Sequence, residues 1–139
     1  MNQPLPRPAA IAVLRHQGKF LLVRRGQPPD PGSWGFPGGK IEWGETAAAA
    51  AVRELAEETA IVAEPLGAFD CVDVIKAATP DSPGYHFVLV AVACRYVSGV
   101  AVAGDDAQAA EWFGIAEIEA NSEPFLAQVA RIARAYPGP

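Results

Sequence analysis

The sequence predicts an α/β fold, because strand-type segments lie on both sides of a central helix and a second helix closes the chain. Runs rich in Ile, Val and Leu occupy 9–14 and 19–23, and the longest such run occupies 85–97. Between them, residues 46–59 have the alanine-rich composition of a helix. Apolar residues on one side of 122–135 predict the closing helix.

The N-terminal part of the chain is predicted to form a β-hairpin that follows a loose arm. Residues 1–8 contain three prolines and are expected to be a flexible N-terminal arm. The first two apolar runs are separated by His16-Gln17-Gly18, which favours a turn between paired strands. The segment 26–32 holds two glycines and three prolines and is therefore expected to be a loop. Short strand-like pieces are expected at 34–37 and 41–43.

The bounds of the remaining helices and strands are predicted from helix-capping residues and from glycine- and proline-containing loops. Thr46 can cap a helix that ends near Thr59, and Ser122 can cap the last helix, which ends near Ala135. The remaining segments are a strand at 61–75, loops at 77–84 and 98–106, a short strand at 111–113 and one helical turn at 115–118.

The composition predicts one globular domain over residues 1–139. Half of the residues are hydrophobic and 19% are charged, which is typical of a folded chain. The net charge of −5 argues against binding to a nucleic acid polymer or an anionic membrane, but it leaves a small anionic substrate open. No apolar run approaches the roughly 18 residues that a membrane helix needs, and the N-terminus lacks a signal pattern. We therefore expect a cytoplasmic protein. Cys71 and Cys94 have no metal-site spacing and are expected to be buried free thiols.

The central helix is predicted to have one acidic face and one packing face. At about 100° per residue, Glu54, Glu57 and Glu58 fall on one side. The opposite side carries small and apolar residues, namely Ala48, Val52, Leu55, Ala56 and Thr59. A solvated acidic surface is the ordinary interpretation of such a cluster.

A divalent metal site explains this cluster better than a solvated surface does. Like charges at helix spacing repel one another, and Arg53 can offset only one of the three. Mg²⁺ prefers hard oxygen ligands such as carboxylates and phosphates. Gly38 and Gly39 precede the helix and allow the backbone to approach an ion or a ligand closely. Glu45 lies at the helix start, where it is expected to interact with the helix dipole or with Arg53.

The spacing of these residues resembles the box of the Nudix family, GX5EX7REUXEEXGU, in which U is a bulky aliphatic residue. Gly39 is followed by Glu45 and then by Arg53-Glu54-Leu55-Ala56-Glu57-Glu58-Thr59-Ala60-Ile61. The one departure is Ala60, which replaces a glycine that suits a left-handed turn at the helix end. The box occupies 39–61, and the resemblance extends over about 9–118.

The resemblance implies a Nudix α/β/α sandwich, with the box helix on one face of a mixed sheet and the C-terminal helix on the other. It implies hydrolysis of a diphosphate linkage in a nucleoside diphosphate derivative. Glu54, Glu57 and Glu58 would hold Mg²⁺ or Mn²⁺ with help from the Gly38 carbonyl, and Arg53 would position Glu57. Glu54 is also a candidate base for the attacking water. Many members of the family are dimers, so a homodimer is one expected assembly.

The residues that bind the substrate are less sharply indicated than the box. Arg24 and Arg25 end a strand beside the glycine-rich loop, and either could reach a phosphate or be solvated. Trp43 could stack on a base or shield the site. A loop late in the chain supplies a base or an extra metal ligand in some relatives, and Asp105 or Asp106 could do so here. Residues expected to pack in the interior instead are Trp34, Phe36, His86 and Trp112.

Three functions remain open at the level of sequence. The first is a Mg²⁺-dependent diphosphohydrolase that acts on ADP-ribose or a related small nucleotide, with a (d)NTP as the alternative substrate. The string FPGGKIE followed by GET resembles the mutator-type diphosphatases, whereas Pro80 is a weak sign of the ADP-ribose type. The second is a module that binds a nucleotide without cleaving it, which should have lost box carboxylates. The third is an acidic helix without a ligand.

Overall fold

A mixed β-sheet forms the centre of the molecule. The computed structural model describes residues 4–27 and 30–138. Within them, seven strands pair in the order β3-β2-β1-β6-β5, with β4 added to β1 and β7 added to β2. The β1–β6 pair is parallel and the other pairs are antiparallel. The strands are β1 (Arg7–His16), β2 (Lys19–Arg25), β3 (Trp34–Gly35), β4 (Gly38–Lys40), β5 (Val62–Lys76), β6 (Tyr85–Ser98) and β7 (Ala107–Gly114).

Helices cover both faces of this sheet, as the alternation of β1 shows. The helices are α1 (Ala47–Thr59), α2 (Ile115–Glu119) and α3 (Val129–Ala135). Ala10, Ala12 and Leu14 belong to a buried cluster with Leu55 of α1. Ile11 and Val13 belong to a second cluster, which contains residues of α2 and α3. Because neighbouring strand residues point to opposite faces, the two clusters lie on opposite sides of the sheet. The predicted α/β/α arrangement is confirmed.

The predicted start of the central helix is confirmed. The Thr46 hydroxyl accepts a hydrogen bond from the Ala49 N–H at 3.0 Å and caps α1. At the other end, Ala60 adopts a left-handed conformation, with φ 63° and ψ 11°, and its N–H donates to Ala56 O at 2.9 Å. The alanine therefore takes the turn that a glycine would favour, at an energetic cost.

Two expectations in the N-terminal half need correction. Strand β1 begins at Arg7, so the expected arm is shorter, and residues 1–3 lie outside the described part of the chain. A strand was expected at 41–43, but β4 is Gly38–Lys40. The chain turns after β4, because the Glu42 N–H donates to the Glu45 carboxylate at 3.1 Å instead of continuing the ladder.

The closing helix begins later than predicted, at Val129 instead of near Ser122. The preceding segment pairs with β3, since the Trp34 N–H donates to Pro124 O at 2.8 Å and the Leu126 N–H donates to Trp34 O at 2.9 Å. The Ser122 hydroxyl donates to Glu117 O and caps no helix. The segment is extended because Pro124 disfavours a helix and because the backbone of β3 offers hydrogen-bonding groups at its edge.

Burial corrects two smaller expectations. The buried residues of α1 are Ala50, Ala51, Leu55 and Thr59, whereas Ala56 is exposed. Both cysteines are free, but only Cys94 is buried and Cys71 is exposed. No helix among the described residues is both long and apolar enough to cross a membrane.

Candidate active site

A cleft of about 730 Å³ opens beside the glycine pair and gathers most of the predicted site residues. Clefts of this size are typical of small-molecule sites. The predicted residues on its wall are Arg24, Arg25, Gly38, Gly39, Glu54, Glu58, Asp105 and Asp106. They come from β2, β4, α1 and the loop before β7, so the tertiary fold brings distant parts of the sequence together.

The glycine pair is required by close packing between β4, β1 and α1. A Cβ atom on Gly38 would overlap the Ala10 carbonyl oxygen, and one on Gly39 would lie 2.5 Å from Glu54 Oε1. Any larger residue would therefore push β4 away from the helix. The Gly38 N–H donates to Glu58 Oε2 at 3.0 Å, which fixes that carboxylate against the strand.

Burial makes two of the box carboxylates unusually basic. Burial raises the pKa of Glu58 from 4.5 to about 8, while the Gly38 N–H opposes the shift and the charge of Glu54 adds to it. Burial likewise raises the pKa of Glu54, with Arg53 opposing. Nearby Asp105 raises both pKa values further. Burial therefore favours the protonated form of both carboxyl groups, and the Gly38 N–H and the positive charges of Arg25 and Arg53 oppose this effect.

Arg53 joins the start of α1 to its acidic face. Its Nε donates to Glu45 at 2.7 Å, and a second nitrogen donates to Glu54 at 2.9 Å and lies 3.4 Å from Glu57. Its third nitrogen donates to Lys40 O at 3.2 Å. The hydrogen bond with Arg53 lowers the pKa of Glu45 to about 2, and the same bond raises the pKa of Arg53. The sequence predicted that Arg53 lies near Glu57, and it gave Glu45 either the helix dipole or Arg53 as its partner; the contact of Arg53 with the adjacent Glu54 was not predicted.

The loop that carries the aspartate pair is anchored to the end of α1. The Gly104 N–H donates to Glu58 O at 2.9 Å, and a Cβ on Gly104 would lie 2.5 Å from Glu57 O. Asp105 has φ 50°, a left-handed conformation that is uncommon for residues other than glycine. Strained backbone of this kind often lies at functional sites, and here it holds a carboxylate beside Glu54 and Glu58.

Arg24 lines the cleft and packs on an aromatic ring. Its guanidinium carbon lies 5.7 Å from the centre of the Trp34 ring, and its buried Nε has no hydrogen-bond partner within the described residues. The Trp34 side chain is 1% exposed and Phe36 is 8% exposed, so both are core residues as expected. No ion pair joins Arg24 to a carboxylate in the part of the chain that the structure describes, so its guanidinium is a cation held beside the Trp34 ring at the cleft.

Some predicted residues lie outside the cleft wall. The Glu57 side chain is 44% exposed and faces Arg53, and Trp43 is fully exposed in the loop before α1. His86 does not line the cleft either, whereas its neighbour Tyr85 does.

The sequence interpretation missed the apolar part of the cleft wall. This part includes Val74, Phe87, Leu89 and Leu126. The alternation of Tyr85, Phe87 and Leu89 along one strand was the available signal, because these side chains point to the same face.

The donor chemistry of this wall fits a hard divalent cation. Glu54, Glu58 and Asp105 offer carboxylate oxygens in a small region, and carboxylates are ligands that Mg²⁺ accepts together with water and phosphate. No group of three or more acidic, histidine or cysteine side chains in the described chain is already arranged around a common point. The carboxylates are instead held by Arg53 and the Gly38 N–H, so binding an ion would require them to turn.

Comparisons with known proteins agree with this arrangement. A model of the NUDIX domain matches residues 4–134. An ADP-ribose pyrophosphatase from Methanocaldococcus jannaschii is 32% identical over 126 residues, which are 88% of this chain and 67% of that protein. The 8-oxo-dGTP diphosphatase of Escherichia coli is 28% identical over 130 residues, which are 88% of this chain and 95% of that protein. The chain spans less than half the length of some other curated relatives.

A solved structure has the same fold over nearly the whole chain. The MutT NUDIX hydrolase from Burkholderia pseudomallei is 27% identical and superposes with a TM-score of 0.80. The superposition covers 95% of this chain and 98% of that protein.

Proposed function

Since the chain belongs to the Nudix hydrolase family, we propose that it hydrolyses the diphosphate linkage of a nucleoside diphosphate derivative with the help of Mg²⁺ or Mn²⁺. Proteins of this family are pyrophosphatases that act on small nucleotides and generally need divalent metal ions. The observation that supports the proposal most strongly is the cleft, whose wall contains Glu54, Glu58 and Asp105 together with two arginines.

The acidic and the basic side chains of the cleft wall suit the cation and the phosphates of the reaction, respectively. The carboxylates of the cleft wall, Glu54, Glu58 and Asp105, would hold the cation together with the Gly38 carbonyl and with Glu57, whose side chain would turn from Arg53 to reach it. The bound cation would neutralise the diphosphate and acidify a water molecule. Arg24 and Arg25, which line the same cleft, can donate hydrogen bonds to the phosphate oxygens and fix the orientation of the linkage.

Glu54 would accept a proton from the attacking water. The water oxygen bonds to phosphorus, the bridging oxygen leaves with the second product, and the proton moves to the carboxylate. Burial raises the pKa of Glu54, which makes it a stronger base than an exposed glutamate. Arg53 keeps the carboxylate in place through the 2.9 Å bond, so it acts as a positioning residue.

ADP-ribose or a closely related nucleotide is the first candidate substrate, and a (d)NTP is the second. The archaeal relative that is named for ADP-ribose supports the first candidate. The second candidate is supported by the bacterial 8-oxo-dGTP diphosphatase, since the match covers 95% of that protein.

A substrate panel with matched variants tests the proposal. The purified protein is incubated with Mg²⁺ and ADP-ribose, nucleotide sugars, dinucleoside polyphosphates or (d)NTPs, and the products are identified. We expect products of diphosphate cleavage, and we expect the Glu57→Gln variant to lose them while keeping its fold. Glu64→Gln is the control, because Glu64 lies on β5, pairs with Arg95 and does not line the cleft. No cleavage of any compound by the wild-type protein would refute the proposal.

A further inference from the structure

A tight turn at 104–107, here called the aspartate turn, brings Asp105 to the wall of the cleft. The turn is closed by a hydrogen bond from the Ala107 N–H to Gly104 O at 3.0 Å. Its second residue, Asp105, has φ 50°, as the second residue of some tight turns requires. Because the two ends of the turn are joined, a shift of one of its backbone groups displaces the others as well.

One side of the aspartate turn rests on the C-terminal end of α1. The Val102 N–H donates to Thr59 O and the Gly104 N–H donates to Glu58 O, both at 2.9 Å. A Cβ atom on Gly104 would lie 2.5 Å from Glu57 O, so the turn could not come closer to the helix. These contacts fix the turn relative to the helix that carries the box carboxylates.

The other side of the aspartate turn rests on Gly26, the residue that follows β2. A Cβ atom on Gly26 would lie 2.8 Å from Asp106 O and 2.9 Å from Gln108 Cγ. Gly26 does not adopt the left-handed conformation that favours glycine, so close packing is what requires a glycine here. The pairing of β2 with β7 shifts register between Arg24 and Arg25, which leaves Gln108 as an extra residue of β7. Such bulges often lie beside active sites.

The space at Gly26 is small compared with the tolerance of a metal site. Ordinary contacts of a Cβ atom begin at 3.4 Å, so a methyl group at residue 26 would push Asp106 O away by about 0.6 Å, the difference from 2.8 Å. A backbone carbonyl cannot turn aside as the end of a flexible side chain can. Metal–ligand distances vary by only about 0.2 Å, and Mg²⁺ requires nearly ideal octahedral geometry. The displacement is therefore large enough to disturb a ligand on the neighbouring Asp105.

We propose that Gly26 is a positioning residue of the metal site, which acts by holding Asp105 beside the carboxylates of α1. Glu54, Glu58 and Asp105 line the same cleft, and the charge of Asp105 raises the pKa values of both glutamates, which shows how near it lies. The inference rests on the proposed function for the nature of the ion, but it concerns binding of the ion and not hydrolysis.

Binding of Mn²⁺ alone, followed by the electron paramagnetic resonance signal of the free ion, tests the inference without a nucleotide. We expect Gly26→Ala to weaken Mn²⁺ binding by about tenfold, which is the lower end of the effect of residues that support metal ligands. Asp105→Asn should weaken it at least as much. Gly114→Ala is the control, because Gly114 lies at the other end of β7, has φ −74° and leaves 3.6 Å to the nearest atom for a Cβ. This variant should bind Mn²⁺ as the wild type does.

A double variant tests whether the effect passes through Asp105. In the Asp105→Asn background, Gly26→Ala should weaken Mn²⁺ binding by less than about twofold, because the ligand that Gly26 positions is already lost. Gly104→Ala presses on the same turn from the side of α1. Measured in the same two backgrounds, it provides an independent test if Gly26→Ala does not fold.

The outcomes separate this inference from the proposed reaction. If Gly26→Ala binds Mn²⁺ as tightly as the wild type, or if its tenfold loss persists in the Asp105→Asn background, the inference is overturned and the proposed function is untouched. A wild-type protein that binds no Mn²⁺ also overturns the inference, and the substrate panel then decides the proposed function by itself. If Mn²⁺ binding changes as expected but no compound of the panel is cleaved, the proposed function fails and the role of Gly26 stands.

Discussion

Replacing Ala60 with glycine should stabilise the protein, which is the reverse of what glycine does elsewhere in a helix. Ala60 has φ 63° at the end of α1, a conformation that is unfavourable for an L-residue by about 1–2 kcal/mol. Glycine removes this strain but increases the entropy of the unfolded chain, which costs about 0.4–1 kcal/mol. The net stabilisation is therefore about 0.5–1 kcal/mol. Ala60 is exposed, so little apolar burial is lost with its methyl group.

The assay is urea unfolding of matched glycine variants, supported by thermal unfolding. For a chain of this length we expect the Tm of Ala60→Gly to rise by about 2–4 °C. Ala56→Gly is the control, because Ala56 is exposed in the helical interior and accepts the Ala60 N–H. There the same substitution should lower the free energy of unfolding by about 1 kcal/mol.

The two variants distinguish relief of backbone strain at residue 60 from the low helix propensity of glycine. If Ala60→Gly lowers the stability as Ala56→Gly does, the left-handed conformation at residue 60 does not exist in solution. If both variants leave the stability unchanged, the end of α1 is frayed and the anchoring of the loop at Gly104 is wrong as well.

The remaining predictions concern the acidic side of the cleft. The pKa of Glu58 is raised to about 8, so its protonated form stabilises the metal-free protein fully below pH 4.5 and this contribution is lost as the pH rises to about 8. The Tm of the metal-free protein should therefore fall over this pH range, and added Mg²⁺ should restore it. If the Tm of Glu58→Gln depends on pH as that of the wild type does, Glu58 is not the group responsible. The pKa of Glu45 is lowered to about 2, so its ionised form stabilises the folded protein above pH 4.5, and this stabilisation is lost as the pH falls towards 2. The Glu45→Gln variant should therefore have a lower free energy of unfolding than the wild type at neutral pH, and this free energy should depend less on pH between 4.5 and 2. Arg53→Lys should lower kcat, because one ammonium cannot contact Glu45, Glu54 and Lys40 O together, and wild-type kinetics in that variant would show that Arg53 positions nothing.

Local patterns predicted those parts of the fold that depend on neighbouring residues. The cap at Thr46, the helix to Thr59 and the long strand beginning at Tyr85 were predicted, because capping and alternation act within a few residues. The last helix was predicted to start too early, at Ser122, because its first residues pair instead with Trp34, which is distant in the sequence. A strand was expected at 41–43, but the glycines before it pair with β1.

The sequence by itself determined the family and the carboxylate set, since the box spacing places Glu54, Glu57 and Glu58 on one side of a helix whatever surrounds it. Only the tertiary structure decided how deeply each of these carboxylates is buried. Glu58 is buried against Gly38 and Glu57 remains partly exposed, and that difference depends on the approach of β4 to α1. The tertiary structure also decided which other residues reach the cleft, because strand pairing brings Lys40 of β4 and Tyr85 of β6 to its wall from distant parts of the sequence.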